Sequence, residues 1–400
     1  MKIMVFNSGS STLKFQLVEI GESSREQRKL ARGIVDRIGA SGGYRFVAGD
    51  SALEEKSMAV PSHEEAVRLV ISWLHSHQLS DLDAVGHRVV HGGQIFTAAV
   101  LIDDQVIVAL EALYELAPLH NPGAVSGIRA ARTILGASLP MVAVFDTSFH
   151  HALPECAATY AIPSALAEQY QIRRYGFHGL AHEYDIARYA EFQGKMLANV
   201  SAVTLHLGNG CSATAIRNGR SVDTSMGFTP LEGLVMGTRS GDLDPALVSY
   251  LARKESVDAA EVEDWLNHRS GLLGLSGLSN DMRELTAAYG ENPRARLAVD
   301  VFCYRARKYL GAYLAVLEGS AEAIIFSGGI GENSALVRRE ICRGMEWCGV
   351  DLDDARNDTV AGRDSRISAE GSELEVWVIH TDEESIIAAE TAEIIGKAVS

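Results

Sequence analysis

One order of elements occurs twice in this chain: short apolar strands around a glycine-rich turn, then helices alternating with single strands. In the first copy KIMVF and LKFQLVEI flank the turn of NSGSSTLK, and LARGIVDRI and YRFVA follow as further strand-like runs. Helical pattern begins at Pro61-Ser62, where Ser62 and Glu65 have the spacing of a capping box in front of AVRLVISWL. A strand over DAVGHRVV (83–90), helices near 106–116 and 121–135, and the apolar strand MVAVF (141–145) complete it. From about residue 200 the order begins again, with VTLHL and SATAI on either side of a second glycine turn. Helices near 244–254, 258–268, 279–288 and 294–318 follow. The strand AIIFS, a helix near 334–345, the strand EVWVI and a last helix from about 383 close the chain. Such a pattern predicts two α/β domains of one topology. Setting Gly9 on Gly210 also sets Ser11 on Ser212. No low-complexity linker separates the halves, so a tight hinge and a cleft are expected.

Length and charge narrow the reading. The 400 residues suit two domains rather than one, and 47% apolar with 22% charged residues is ordinary for a chain that buries real cores. Thirty-six Lys and Arg against 52 Asp and Glu leave a net charge of −16. Nucleic acid and anionic membranes are therefore excluded as expected partners, since both demand clustered positive charge. An anionic substrate has to be attracted locally, by a few placed cations and a metal. The five cysteines form no CxxC pair, as expected of a reduced, cytoplasmic protein. The first residues are too short an apolar run for a signal peptide, and no run approaches the roughly 18 residues of a membrane span.

A turn of Gly, Ser and Asn exposes backbone N–H groups and hydroxyls, which suits oxyanions and phosphates above all. A plain hairpin would use the same residues, but NSGSSTLK adds the cation Lys14 just past the turn. No GxxxxGK[ST] occurs, which excludes a P-loop. LHLGNGCS (205–212) and AIIFSGGIGEN (323–333) are two further strand–glycine junctions, the second leading toward a helix near Ala335. GGIGEN lacks the GxGxxG spacing of a dinucleotide fold. Three such turns in two similar halves point to a nucleotide held between domains.

Charged residues stand at several strand ends. In GHRVVHGG, Arg88 needs a partner or a ligand, and a buried ion pair is as good a reading as a binding site. Asp146 follows MVAVF directly, at the sheet edge where α/β proteins bind ligands, although a turn cap would also place it there. YGFHGLAHEY offers His178 beside glycines, with His182 four residues on but no HExxH zinc motif. In MGTRSGDLDP, Arg239 either serves a site or pairs with Asp242. The adjacent acids of HTDEES either cap a helix or hold a metal. Phosphate cradles, two arginines, histidines and acidic groups together match phosphoryl transfer, where positioning and charge neutralisation supply most of the catalysis.

These motifs resemble the acetokinase family, of the acetate and sugar kinase, Hsp70 and actin superfamily. NSGSSTLK, GHRVVHGG, APLHNP, FDTSFH, YGFHG, HLGNG, MGTRSGDLDP, SNDMRE, SGGIGEN and TDEE occur in the family's order over essentially the whole chain. The resemblance implies two duplicated actin-like (ribonuclease H-like) α/β domains with a βββαβαβα core and a nucleotide cleft between them. Residues 1–148 with 385–400 would form one domain, closed by the returning last helix, and residues 149–384 the other. It also implies a homodimer. By motif position Asn7 and Glu383 would hold Mg²⁺, with Mn²⁺ as a substitute, and Lys14 would approach the phosphates. The ATP or ADP site would be lined by His206, Leu207, Gly208, Asn209 and Gly210, by Asp281, Met282 and Arg283, and by Gly329, Ile330, Gly331, Glu332 and Asn333. Arg88 would bind a carboxylate, with Asp146 as the catalytic residue, His178 and Arg239 stabilising the transition state, and His120 nearby. Val90, Leu119, Phe177 and Pro230 would surround the acetate methyl. Three positions depart from the family pattern: Thr12 replaces the commoner Ser and keeps the hydroxyl, and FHGLAH replaces FHGTSH, so Leu180 and Ala181 lose two hydroxyls beside His178.

The implied reaction is reversible transfer of the ATP γ-phosphoryl group to acetate, giving acetyl phosphate and ADP. The alternatives are a propionate or other short-chain acyl kinase, and a non-catalytic nucleotide-binding switch of the same superfamily. Val90 is bulkier than the Ala of propionate-selective relatives, which favours acetate.

Overall fold

Within the first forty-eight residues the chain lays down four strands. The computed structural model describes all residues except 10, 22–25, 119, 361 and 400. Two compact units are formed, Met1–His151 with Asp382–Ser400, and Ala152–Thr381.

The first unit runs β1 (Lys2–Ser8), β2 (Leu13–Ile20), β3 (Gln27–Asp36), β4 (Ser41–Ala48), β5 (Glu54–Ala59), α1 (His63–Ser76), β6 (Ala84–Val89), β7 (Val100–Leu101), α2 (Asp104–Ala112), α3 (Asn121–Leu135) and β8 (Met141–Phe145). The second begins with α4 (Glu155–Ala158), α5 (Ser164–Gln169), α6 (Gly179–Phe192), β9 (Ala202–Leu207), β10 (Cys211–Arg217) and β11 (Arg220–Thr224). It continues through α7 (Ala246–Glu255), α8 (Ala259–His268), α9 (Gly271–Ser276), α10 (Met282–Ala287) and α11 (Pro293–Val316). It ends with β12 (Ala323–Ser327), α12 (Gly328–Asn333), α13 (Ala335–Cys342), α14 (Asp354–Thr359), β13 (Ser365–Arg366) and β14 (Glu375–Val378). The final helix, α15 (Glu383–Val399), belongs to the first unit.

The two sheets have one core. Order β5-β4-β3-β2-β1-β6-β8-β7 in the first unit contains β3-β2-β1-β6-β8, matched in the second by β11-β10-β9-β12-β14. In each, the first three strands are antiparallel, and the last two join parallel to the strand that opens the unit. The fold is thus the duplicated α/β architecture expected from the repeated order. The ladders correct its residue-level superposition. Asn7 pairs with Lys14 and His206 with Ser212, so Ser212 occupies the rung of Lys14, not that of Ser11.

Local signals explain the elements. Ser62 accepts the Glu65 N–H at 3.2 Å to start α1, while the Glu65 side chain turns to Arg68 instead of closing a full capping box. Ala66, Val67, Val70, Trp73 and Leu74 form the buried face of α1. Trp73 meets Phe46, which meets Phe15 edge-on with ring centroids 5.1 Å apart. Each such side chain contributes about 1.5–3 kcal/mol by burial. Helix α15 lies close on β6: a Cβ at Gly86 would sit 2.5 Å from Thr391 Oγ1. Strands β5 and β11 and helix α6 were not foreseen. GGIGEN, expected to be a glycine turn, is itself the single helical turn α12.

Candidate active site

Registration across three strands sets the chemistry of the first unit. Asn7 on β1 pairs with Lys14 on β2 and with Arg88 on β6, so the three side chains share one face at one level. Asp146 follows β8 on the same side, and its carboxylate takes Arg88 Nε and Nη2 at 2.9 and 2.5 Å. Arg88 Nη1 donates to Asn7 Oδ1 at 3.1 Å, and Glu383 at the start of α15 stands 3.8 Å from Arg88 Nε. Burial is the largest influence on both partners. It pushes the Asp146 carboxyl up, and it opposes the Arg88 charge, yet Asp146 and then Glu383 more than compensate and raise the guanidinium. The two-pronged geometry is that of an ionised pair. Glu384 is half-buried, and desolvation with the neighbouring Glu383 raises its carboxyl. Of the HTDEES acids, Asp382 caps α15 through Ser385 and pairs with Lys29 at 2.6 Å, whereas Glu383 turns to Arg88.

Behind this cluster the buried Asn121 clasps both backbone groups of His91, accepting from its N–H and donating to its C=O. That clasp ties APLHNP to GHRVVHGG. His120 stands half-buried at the N-cap of α3. Lys14 is exposed. Val90 is half-buried in the first unit, whereas Phe177 (buried) and Pro230 (half-buried) belong to the second. Leu119 lies outside the described residues.

In the second unit the turn 208–210 is closed by Gly208 N–H donating to Gly210 C=O at 3.0 Å. Two side chains converge over it: a Cβ at Gly210 would lie 3.4 Å from His178 Nε2 and 3.6 Å from Arg239 Nη1. His178 sits at the N-cap of α6 with φ 57° and ψ 26°, a left-handed conformation that turns its ring out of the helix line. Its Nδ1 meets Ser212 Oγ at 2.9 Å. Arg239 does not pair with Asp242, correcting one of the two readings of that loop. Asp242 accepts from Tyr309 and from Gly233 N–H, while Arg239 Nη1 donates to Pro230 C=O at 3.2 Å. Among the described residues no carboxylate lies within ion-pair distance of Arg239. Burial pushes this guanidinium below its ordinary value. Glu232, held by Arg174 at 2.6 Å and by Tyr160, supports the segment that carries Pro230 and Arg239.

A cavity of about 800 Å³ opens beside this turn, lined among others by Gly208, Asn209, Asp281, Met282, Arg283, Gly329, Ile330 and Asn333. Its size suits a nucleotide. Asn280 Nδ2 donates to Asn209 Oδ1 at 3.0 Å and joins two of its walls. Gly328, with φ 72°, runs 2.7 Å (from a would-be Cβ) over Leu207 C=O, an approach that a side chain would block. His206, Leu207, Gly210, Gly331 and Glu332 do not line the cavity. Leu207 and Glu332 are buried, the latter against His380, and His206 Nδ1 meets Ser327 Oγ at 3.2 Å. Sequence reasoning missed Asn280, Thr286 and Ser334 in the lining. SNDMRE and SGGIGEN bordered them, but nothing in the sequence said which side chains face inward. Leu180 and Ala181 are both fully buried, and the hydrogen bond at His178 Nδ1 is made with Ser212 on β10.

The acidic group of the first unit also bears on a cation. Asn7, Asp146, Glu383 and Glu384 are oxygen donors, with more carboxylates than Arg88 and Lys14 neutralise, and they fit a hard divalent ion. Among the described residues no group of three His, Cys, Asp or Glu is arranged as a ready-made metal site. No helix among them is long and apolar enough to cross a membrane.

A duplicated α/β scaffold with a glycine-lined cavity and a guanidinium without a carboxylate partner among the described residues matches a phosphotransferase. Comparison makes the class specific. The chain belongs to the Acetokinase family, whose model matches residues 2–389. It is 49% identical over 410 residues to the acetate kinase of Chloroherpeton thalassium, with 98% of each chain covered. The acetate kinase of Solibacter usitatus is 48% identical over 409 residues, with 99% and 98% covered. Among solved structures, Porphyromonas gingivalis acetate kinase superposes with a TM-score of 0.92 at 38% identity, covering 98% of this chain and 99% of that one. A propionate kinase from Francisella tularensis gives 0.91 at 38% identity, with the same coverage.

Proposed function

We propose that this protein transfers the γ-phosphoryl group of ATP to acetate, reversibly and with Mg²⁺, forming acetyl phosphate and ADP. The observation that carries the reading is Arg239, half-buried and, among the described residues, without a carboxylate partner beside the turn 208–210 and the cavity next to it. A cation so placed awaits an anion.

Acetate is ionised at pH 7, so no proton has to be removed and a general base has little to do. The obstacle is repulsion between anions, about 4 kcal/mol for unit charges ~4 Å apart at an effective dielectric of 20. Arg88 receives the carboxylate with the N–H groups left over from Asp146 and Asn7. Asp146 orients that fork and carries no proton. By motif position Val90, Leu119, Phe177 and Pro230 are the residues assigned to the acetate methyl. The nucleotide lies along 208–210, 281–283 and 329–333, with Lys14 toward its phosphates. Arg239 and His178 meet the charge that spreads over the moving phosphoryl oxygens, with His120 beside them. Asn7 and Glu383 hold the Mg²⁺, for which Mn²⁺ substitutes; the ion when bound neutralises phosphate charge. Transfer is direct and in-line.

Acetate-dependent ADP formation tests the reaction, and its absence with nucleotide binding intact would identify a non-catalytic switch. Inversion at a chiral γ-phosphorus is expected, while retention would require a phosphoenzyme. Propionate is a poorer but real substrate, because one methylene is worth only about 1–3 kcal/mol; the likeness to a propionate kinase makes it the comparison of choice. Helix α7 buries no residue and exposes Leu247 and Tyr250, and α11 exposes Leu297 and Tyr304, which supports a homodimer through the second unit. Five free cysteines support a cytoplasmic location. Sedimentation measures the dimer.

A further inference from the structure

Ser212 has one hydroxyl proton and two imidazoles to serve. Its Oγ lies 2.9 Å from His178 Nδ1 and 2.7 Å from His182 Nε2, and His182 Nδ1 lies 2.7 Å from Thr204 Oγ1. Ser212, His182 and Thr204 are all fully buried, on β10, α6 and β9. We propose that Thr204, His182 and Ser212 form a hydroxyl–imidazole relay that holds His178 in the tautomer with its proton on Nε2. In that state the ring donates a hydrogen bond into the site beside Arg239. The proposal rests on the reading that His178 meets a phosphoryl oxygen.

Run head to tail, with each group donating one hydrogen bond to the next, a neutral relay has two directions. In one, Thr204 O–H donates to His182 Nδ1, His182 Nε2–H donates to Ser212 Oγ, and Ser212 O–H donates to His178 Nδ1. His178 then carries its proton on Nε2, over Gly210. In the other, every bond is reversed and Nε2 presents a bare lone pair. A lone pair aimed at phosphoryl oxygens repels them, whereas an N–H binds them, so an anion in the site selects the first direction. Without the Ser212 hydroxyl, Nδ1 of a neutral His178 loses the O–H that favours this tautomer. The ring then donates dependably only as imidazolium, which has both protons. The groups facing this ring are His182 on its own helix, His206 on β9 with ring centroids 5.0 Å away, Cys211 and Ser212 on β10, and Arg239 from the loop. Asp185, also on α6, is engaged by Ser327 and Thr381.

Ser212, His182 and Thr204 are positioning residues. The test combines ¹⁵N-histidine spectra of the full chain with kinetics. The His178 signal, identified by its loss in His178→Gln, is expected as Nε2–H in the unaltered protein with ADP, Mg²⁺ and acetate present. Ser212→Ala is expected to mix the tautomers. Its kcat falls about 10-fold above the imidazole range near pH 6.5 and recovers below it, while the nucleotide KM stays within about twofold. Ser212→Thr, which keeps the hydroxyl, restores both spectrum and profile. An Nδ1–H resonance in the unaltered protein, or an unchanged kcat and flat profile in Ser212→Ala, overturns the relay. Should Ser212→Ala fail to fold, the spectrum of the unaltered protein and the milder Thr204→Val decide the matter. A protein that forms no ADP with acetate removes the functional reading, whereas the spectrum still reports the tautomer.

Discussion

Two matching rungs of the two sheets hold opposite chemistry. Lys14, Asn7 and Arg88 stand side by side on β2, β1 and β6, and Ser212, His206 and Ser327 occupy the same places on β10, β9 and β12. The first set is a cation, an amide and a guanidinium, surrounded by carboxylates. The second is a hydroxyl, an imidazole and a hydroxyl, with an unpaired arginine delivered by a loop. One backbone therefore supports both, and the difference lies wholly in side chains. It also predicts different costs. In the first unit Arg88 and the buried Asp146 neutralise each other, so removing Arg88 strands its partner. In the second, removing Arg239 leaves no charge without its partner among the described residues.

The largest expected effect follows directly. Arg88→Ala should lower acetate-dependent turnover by about 10³-fold and cost about 3–5 kcal/mol of stability, because Asp146 remains buried and unpaired. Denaturant unfolding of Arg88→Met with Asp146→Leu should recover the stability while activity stays lost. If the single change is harmless to folding, the contrast between units is wrong. Arg239→Ala should cost a similar factor in kcat with less than about 1 kcal/mol of stability, measured in the same two assays.

Acid offers a second probe. Burial lowers His87 to about 3 and His91 to about 4, both on the segment that carries Arg88. Their folded values lie below the unfolded one near 6.5, so the unfolded chain takes up protons that the fold excludes. Stability of the first unit is thus complete above about pH 6.5 and lost as pH falls toward 4, on the order of 2 kcal/mol per histidine at about pH 5. Hydrogen exchange should show β6 opening before β9; simultaneous opening would remove electrostatics as the cause. The smallest effects separate packing from binding. Gly86→Ala should cost about 1–3 kcal/mol by pressing on Thr391 and Ile387. Gly329→Ala, with open space around it, should leave stability unchanged and raise the nucleotide KM. Thermal unfolding and initial rates read both.

Much of this was legible beforehand. The helix starting after Ser62, the strand ending at Phe145 and the duplicated order follow from caps and periodicities that act over a few residues. The Arg88–Asp146 pair was not legible, because 58 residues separate its members and GHRVVHGG fits a ligand site equally well. Arg239 and Asp242 show the reverse: neighbours in sequence that belong to different partners. Helix α6 escaped notice because its buried face includes His182 and Asp185, polar residues that blur an amphipathic pattern.

Sequence alone determined the repeated α/β order, the glycine turns and the inventory of charges, since backbone preference and hydrophobic period are local properties. Which charge neutralises which, which glycines line the cavity, and that one serine hydroxyl joins two histidines were decided by tertiary structure. The physical reason is register: strand pairing sets which side chains share a rung, and that depends on contacts far apart in the chain.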